Sequence, residues 1–199
     1  MSSTNQERIK YLLEYRIPKF WILPPNILID YQAGFGDNKH WHFLVDLIPK
    51  NIRNAEKAYV NGLLEACIYY AITTLEYALK AKYCLQLNEE KKDADIFLKE
   101  HHTLGSLCTN NPSIIDQLKL TELKENIIQL NELRNGLFHF NYEKLKEGIR
   151  KLGFDFSKIE TNTSFIIYPN LIDDQLASNV YNQVINILEF IFKPKKSND

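Results

Sequence analysis

Arg134, Asn135 and His139 are the residues of this chain whose types and spacing bear most directly on chemistry. Imidazole is the side chain that exchanges a proton near neutral pH, and guanidinium is a planar, permanently charged fork suited to oxyanions. Arg134 and His139 lie five residues apart, roughly 140° around a regular helix, so one helix does not stack them. Asn135 and His139 are four apart, a spacing that brings the amide within reach of the imidazole and would fix the ring's orientation and tautomer. Gly136 interrupts the same stretch at a cost of about 1 kcal/mol relative to alanine, which points to the close approach of another backbone or a substrate, as at a dimer axis.

The elements that must position these residues read as helices. With 199 residues, 45% of them hydrophobic and 25% charged, the chain has material for one domain and an extension. Only 7 glycines and 7 prolines are present, too few for the turns of an all-β fold. The strongest helical signal runs from Asn54 to about Leu87 and is apolar nearly all round, which places that helix centrally. A second helix is expected over Ile96 to Thr109, and a third from Ile114 to about Tyr142, capped by Ser113 and broken near Leu120-Thr121. The last, Asp173 to Phe192, carries Leu176, Val180, Val184, Ile187, Leu188 and Ile191 on one face, with Asp173 and Asp174 suited to its N-terminus. The segment Thr163 to Pro169 allows one short β segment.

Residues 1–50 differ. A helix-capable piece, Gln6 to Tyr15, leads into an irregular extension whose Phe20, Trp21, Phe35, Trp41 and Phe43 pack on the core or on a partner chain. The division is an N-terminal extension over 1–50, a helical domain over 51–194 and a loose tail over 195–199. The fold class is all-α, a bundle of four to five helices.

Several functions are disfavoured. The formal charge is −1, so RNA contact would rest on a local patch rather than an overall positive field. Cys67, Cys84 and Cys108 are too widely spaced for a zinc site or a disulfide framework and fit a reducing cytoplasm. His40-Trp41-His42 and His101-His102 lack a second ligand pair, so no metal is expected, and Gly34-Phe35-Gly36 lacks the strand and helix of a nucleotide loop. No cofactor is expected either. The Tyr59, Tyr69, Tyr70, Tyr77 and Tyr83 series reads as core and interface packing rather than a base-stacking platform. The polar start has no signal-peptide core and no apolar run is long enough to span a bilayer, so the expected location is the cytoplasm.

The Arg134-Asn135-x3-His139 stretch, preceded by Ala58-Tyr59-Val60-Asn61-Gly62-Leu63 and Leu75-Glu76-Tyr77-Ala78-Leu79-Lys80-Ala81, resembles HEPN domains over about residues 51 to 192. In that family a polar residue typically follows the arginine, as Asn135 does here. The resemblance implies a helical bundle that dimerises so that two Arg-x4-6-His motifs meet in one cleft. Many such proteins cut RNA without metal in toxin–antitoxin or phage-defence settings. Toxins of the family paired with a nucleotidyltransferase antitoxin commonly carry Tyr two residues after the His; Asn141 stands there and Tyr142 follows, which points away from that pairing.

The implied chemistry is attack of a ribose 2′-OH on the adjacent phosphodiester, giving a 2′,3′-cyclic phosphate and a 5′-OH. His139 would act as base or acid, and Arg134 would hold the phosphate and stabilise its developing charge. Glu76 would pair with Arg134, Tyr142 would support the site, and Lys144, Lys146, Arg150 and Lys151 would guide the RNA backbone. Expected partners are RNA, a second copy of the chain and an antitoxin or defence partner. The alternative is a non-catalytic module of the same family that binds nucleotide or RNA, or a dimeric adaptor.

Overall fold

The computed structural model describes residues 4–16, 34–35, 41–100, 103–109, 113–139, 142–153 and 172–192. Every regular element among them is helical: α1 Asn5–Arg16, α2 His42–Val60, α3 Leu64–Glu89, α4 Ala94–Glu100, α5 Leu104–Thr109, α6 Ile114–Gln117, a 3-10 turn Thr121–Leu123, α7 Lys124–Phe138, α8 Tyr142–Lys151 and α9 Asp174–Phe192. The short β segment expected at 163–169 and the tail at 195–199 lie outside the described residues.

α3 is central because its sequence is apolar on every side. Ile68, Ile72, Leu75, Ala78, Leu79 and Cys84 are all fully buried. α2 and α9 flank it, α7 and α4 also pack on it, α8 packs on α7, and α1 lies on α2. Polar bonds tie the flanks together: the Tyr181 hydroxyl donates to Glu56 Oε1 at 2.7 Å between α9 and α2, and Arg8 of α1 pairs with Asp174 at the start of α9. Lys82 of α3 donates to the Ile191 carbonyl at 2.7 Å, near the end of α9 where carbonyls have no helical partner.

Several expectations from sequence are corrected. The single helix expected over Ile96 to Thr109 is two, α4 ending at Glu100 and α5 opening at Leu104. The helical signal from Asn54 to Leu87 is two helices, because Gly62 adopts φ +74°. Gly62 N–H donates to the Tyr59 carbonyl at 3.0 Å and Leu63 N–H to the Ala58 carbonyl at 2.8 Å, the pair of bonds that closes a helix around a left-handed glycine. Conversely, the stretch His42–Lys50, read as irregular extension, is the first half of α2 with Pro49 inside it. An interior proline costs about 3 kcal/mol. Burial of Leu44, Val45 and Ile48, at about 1.5–3 kcal/mol each, outweighs that cost. Trp41 and Phe35 pack edge to face with ring centroids 5.8 Å apart in the core, as their aromatic character predicts, whereas Phe43 faces outward. Phe20 and Trp21 lie outside the described residues.

Other boundaries follow local rules. Ser113 caps α6 by accepting the Asp116 N–H at 3.2 Å, and Asp173 caps α9 by accepting the Leu176 N–H at 2.7 Å. The expected break near Leu120-Thr121 is the 3-10 turn. α7 ends at Phe138 rather than near Tyr142, and Tyr142 opens α8.

Gly136 does mark a close approach, but the approaching backbone is that of α8. A Cβ at Gly136 would collide with the Leu145 backbone, and one at Gly148 would come within 2.9 Å of the Leu133 backbone. The two glycines let α7 and α8 touch main chain to main chain, so the glycine needs no dimer axis to account for it. Gly136→Ala is therefore expected to lose about 1–3 kcal/mol through overpacking even though alanine is the better helix former. A lowered urea midpoint checks this; an unchanged or raised midpoint rejects the packing argument.

All three cysteines are buried and free. Burial pushes the Cys67 and Cys84 thiols up to about 12 and Cys108 up to about 11. The folded protein thus keeps protons that the unfolded chain releases near the ordinary cysteine value. This contribution is fully present below that value and is lost as pH rises through 11 to 12. The urea midpoint should fall on going from neutral to strongly alkaline buffer, and an aromatic disulfide reagent at mildly alkaline pH should label the thiols only after denaturant is added. Immediate labelling of the native protein would contradict this.

Candidate functional site

The centre of the site is a carboxylate inside an apolar helix. Glu76 projects from α3 with its side chain only 9% exposed, a placement that requires compensating partners. It has three. Lys80, one turn later on α3, donates to Oε1 at 2.7 Å. The Leu104 N–H, at the start of α5, donates to Oε2 at 2.9 Å, which satisfies a helix-start amide that has no partner within the helix. Arg134 of α7 places Nη2 3.5 Å from the same Oε2. The expected contact between Glu76 and Arg134 is thus present, and a second buried cation, Lys80, joins it.

The arrangement holds two cations on one carboxylate, a locally positive cluster beneath the surface. The Arg134 side chain is 21% exposed, so part of its guanidinium still reaches solvent. Its Nε is buried with no hydrogen-bond partner among the described residues, as is Asn131 Oδ1 one turn earlier on α7. Glu76 restricts where the fork can swing, and the remaining N–H groups are the donors available to an anion.

His139 lies at the other side of the same helix end. It is the C-terminal cap of α7, with φ −97° and ψ 11°, and its backbone N–H donates to the Asn135 carbonyl at 3.1 Å. The residue is exposed and Asn135 is half-buried. Among the described residues no side-chain bond joins Asn135 to His139, so the expected amide-to-imidazole contact is not made in this structure. The helix ends at His139, and the rule that stacks side chains four apart applies only while a helix continues. Arg134 turned toward α3 and His139 turned outward match the roughly 140° that five residues impose. Within a single chain, the structure brings Glu76, Lys80 and Arg134 together and leaves His139 outside that cluster.

α8 carries the basic residues on the side away from its buried Leu145 and Ile149. Lys144 and Arg150 are exposed and Lys146 is half-buried. Arg150 pairs with Glu147 at 2.8 Å, and Lys151 bridges to Glu132 of α7 at 2.8 Å. The Glu132 carboxylate holds the Lys151 ammonium above its usual range. Arg150 and Lys151 are therefore engaged with carboxylates, and the surface is one of mixed charge.

Among the described residues no group of three or more His, Cys, Asp or Glu could hold a metal ion; His40, His101 and His102 lie outside those residues. No helix among them is long and apolar enough to cross a membrane. Sequence reasoning passed over Lys80 as a site residue. The signal was available: Glu76 and Lys80 are an i, i+4 acid-base pair in the middle of a helix whose sequence is apolar nearly all round. Tyr69, one of the tyrosines expected in core or interface packing, is 38% exposed and packs on the exposed Phe138 with ring centroids 4.8 Å apart. No family model matches the chain, and no curated protein or solved structure matches it either.

Proposed function

We propose that this chain is a metal-independent endoribonuclease of the HEPN kind, acting as a homodimer in which two copies of Arg134 and His139 share one phosphodiester. The observation that carries this reading is the division of labour at the end of α7. A guanidinium is held against a buried carboxylate, and an imidazole stands exposed at the next turn. One chain supplies an anion-binding fork and a proton carrier on different sides of a helix, so a second chain would supply the complement to each.

In the proposed reaction an imidazole removes the proton from a ribose 2′-OH. The 2′ oxygen bonds to phosphorus, the bond from phosphorus to the 5′ oxygen breaks, and an imidazolium returns a proton to that oxygen. The products are a 2′,3′-cyclic phosphate and a 5′-OH. Arg134 neutralises charge on the non-bridging oxygens, and Glu76 with Lys80 sets its position. In this scheme Asn135 belongs to the catalytic set with Arg134 and His139, Glu76 and Tyr142 support it, and Lys144, Lys146, Arg150 and Lys151 would contact the RNA backbone beyond the cleaved bond. The setting would be toxin or phage defence in the cytoplasm, with an antitoxin or defence protein as a further partner.

The test is incubation of the purified chain with varied single-stranded RNAs in EDTA, with the ends of any product identified. Cyclic phosphate ends in the presence of chelator support the reading; a folded, dimeric protein that leaves every RNA intact overturns it. The second reading, a non-catalytic module that binds nucleotide or RNA or an adaptor for a partner protein, is favoured by the net charge of −1 and by the carboxylate-paired cations of α8. Thermal stabilisation by nucleotides that is lost in Arg134→Ala, without cleavage by the wild type, would select it.

A further inference from the structure

We propose that Tyr69 and Phe138 form a platform on which a base of single-stranded RNA stacks beside the cleaved phosphate, an inference that rests on the ribonuclease reading. Phe138 is the last residue of α7, immediately before His139 and one turn beyond Arg134. Tyr69 lies on α3, two turns before Glu76. The two helices therefore bring together at one end of their contact the ring pair, and next to it the Glu76–Arg134 pair. The rings meet at 4.8 Å and 65°, an edge-to-face packing, and Tyr70 adds a third ring 5.4 Å from Tyr69.

Packed aromatics are ordinary in a core, but these two stay open: Tyr69 is 38% exposed and Phe138 41%. Among the described residues Tyr59, Tyr83, Trp41 and Phe35 are buried while Phe43 and Phe190 are exposed on other helices, and the Tyr69–Phe138 pair is the exposed one that adjoins the proposed chemistry. An aromatic face accepts any base with little sequence preference, because every base has a π-face. Such a contact also compensates for the weak long-range attraction of a chain whose formal charge is −1. A base held on Tyr69 and Phe138 would set its own ribose and phosphate at the Arg134 and His139 end of α7. Tyr69 and Phe138 are thus positioning residues for the substrate.

The experiment compares wild type, Tyr69→Leu and Tyr69→Phe. Leucine keeps an apolar contact with Phe138 and removes the ring; phenylalanine keeps the ring. Cleavage of single-stranded RNA is read as KM and kcat. Binding is read separately with an oligonucleotide carrying 2-aminopurine and a 2′-deoxy sugar at the attacking position, which stacks but does not react. The platform predicts that Tyr69→Leu raises KM by about tenfold, with kcat less affected, and abolishes the fluorescence quench, and that Tyr69→Phe restores both. Cleavage by wild type together with unaltered KM and quench in Tyr69→Leu overturns the platform and leaves the nuclease standing. A folded Tyr69→Leu that has become monomeric assigns the patch to a second copy of the chain and also overturns it. A wild type that quenches the probe through Tyr69 yet cleaves nothing upholds the stacking surface and removes the nuclease instead.

Discussion

Replacing His139 with alanine is expected to lower RNA cleavage by a factor of about 10²–10⁴, the range attributable to general acid–base groups, while leaving stability within about 0.5 kcal/mol of wild type. The split follows from where the residue sits. His139 is exposed at the end of α7, and what it contributes to the helix is a backbone N–H bonded to the Asn135 carbonyl at 3.1 Å, which alanine retains. Loss of activity with an unchanged melting profile would isolate the imidazole as a reacting group. Arg134→Lys makes a useful companion because it preserves charge but replaces a planar fork with a point charge, and cleavage should fall here too. If His139→Ala cuts RNA as fast as wild type, the imidazole takes no part in any cleavage and the proposed mechanism fails.

The second large effect is on stability. Glu76→Ala should cost about 3–5 kcal/mol, the usual result of removing one partner from a buried charged pair. The carboxylate is the shared counter-charge of Lys80, at 2.7 Å, and of Arg134, at 3.5 Å. It also accepts the Leu104 N–H at 2.9 Å. Its removal leaves two cations facing a cavity with like charge opposing like, and an amide without a partner. Glu76→Gln retains the shape and some hydrogen bonding but not the charge, so its loss should fall between wild type and alanine. Urea unfolding followed by circular dichroism measures both. A loss below about 1 kcal/mol for the alanine variant would show that the cations find water or new partners easily and that Glu76 is not holding Arg134. Because the same change frees Arg134, cleavage by Glu76→Gln should also decline, with the effect on KM exceeding that of a destabilising core truncation on another helix, such as Leu176→Ala in α9.

Much of the architecture was legible in the residues because helical periodicity is a local property. The amphipathic face of α9, the Ser113 and Asp173 caps and the apolar circumference of α3 all depend on residues within a few positions of one another. Boundaries were less legible. The split at Gly62 turned on one residue adopting φ +74°, and glycine permits that conformation without requiring it. The helix through Pro49 was hidden because local propensity opposes it, and what overrides the proline is the burial of Leu44, Val45 and Ile48 against other helices. Gly136 was recognisable as a point of close approach, but a glycine cannot say whose backbone approaches; α8 of the same chain does.

The order Arg134, Asn135, His139 and its helical setting belong to the sequence by itself, since five residues on a helix separate two side chains by a fixed angle. From that angle alone it follows that one chain cannot aim both groups at the same point along a single helix face. Only the tertiary structure decided that Arg134 turns toward Glu76 and Lys80, that His139 ends its helix in the open, and that Tyr69 meets Phe138 beside it. These contacts join residues about 54 to 69 positions apart in sequence, and such pairings depend on how whole helices pack rather than on any local pattern.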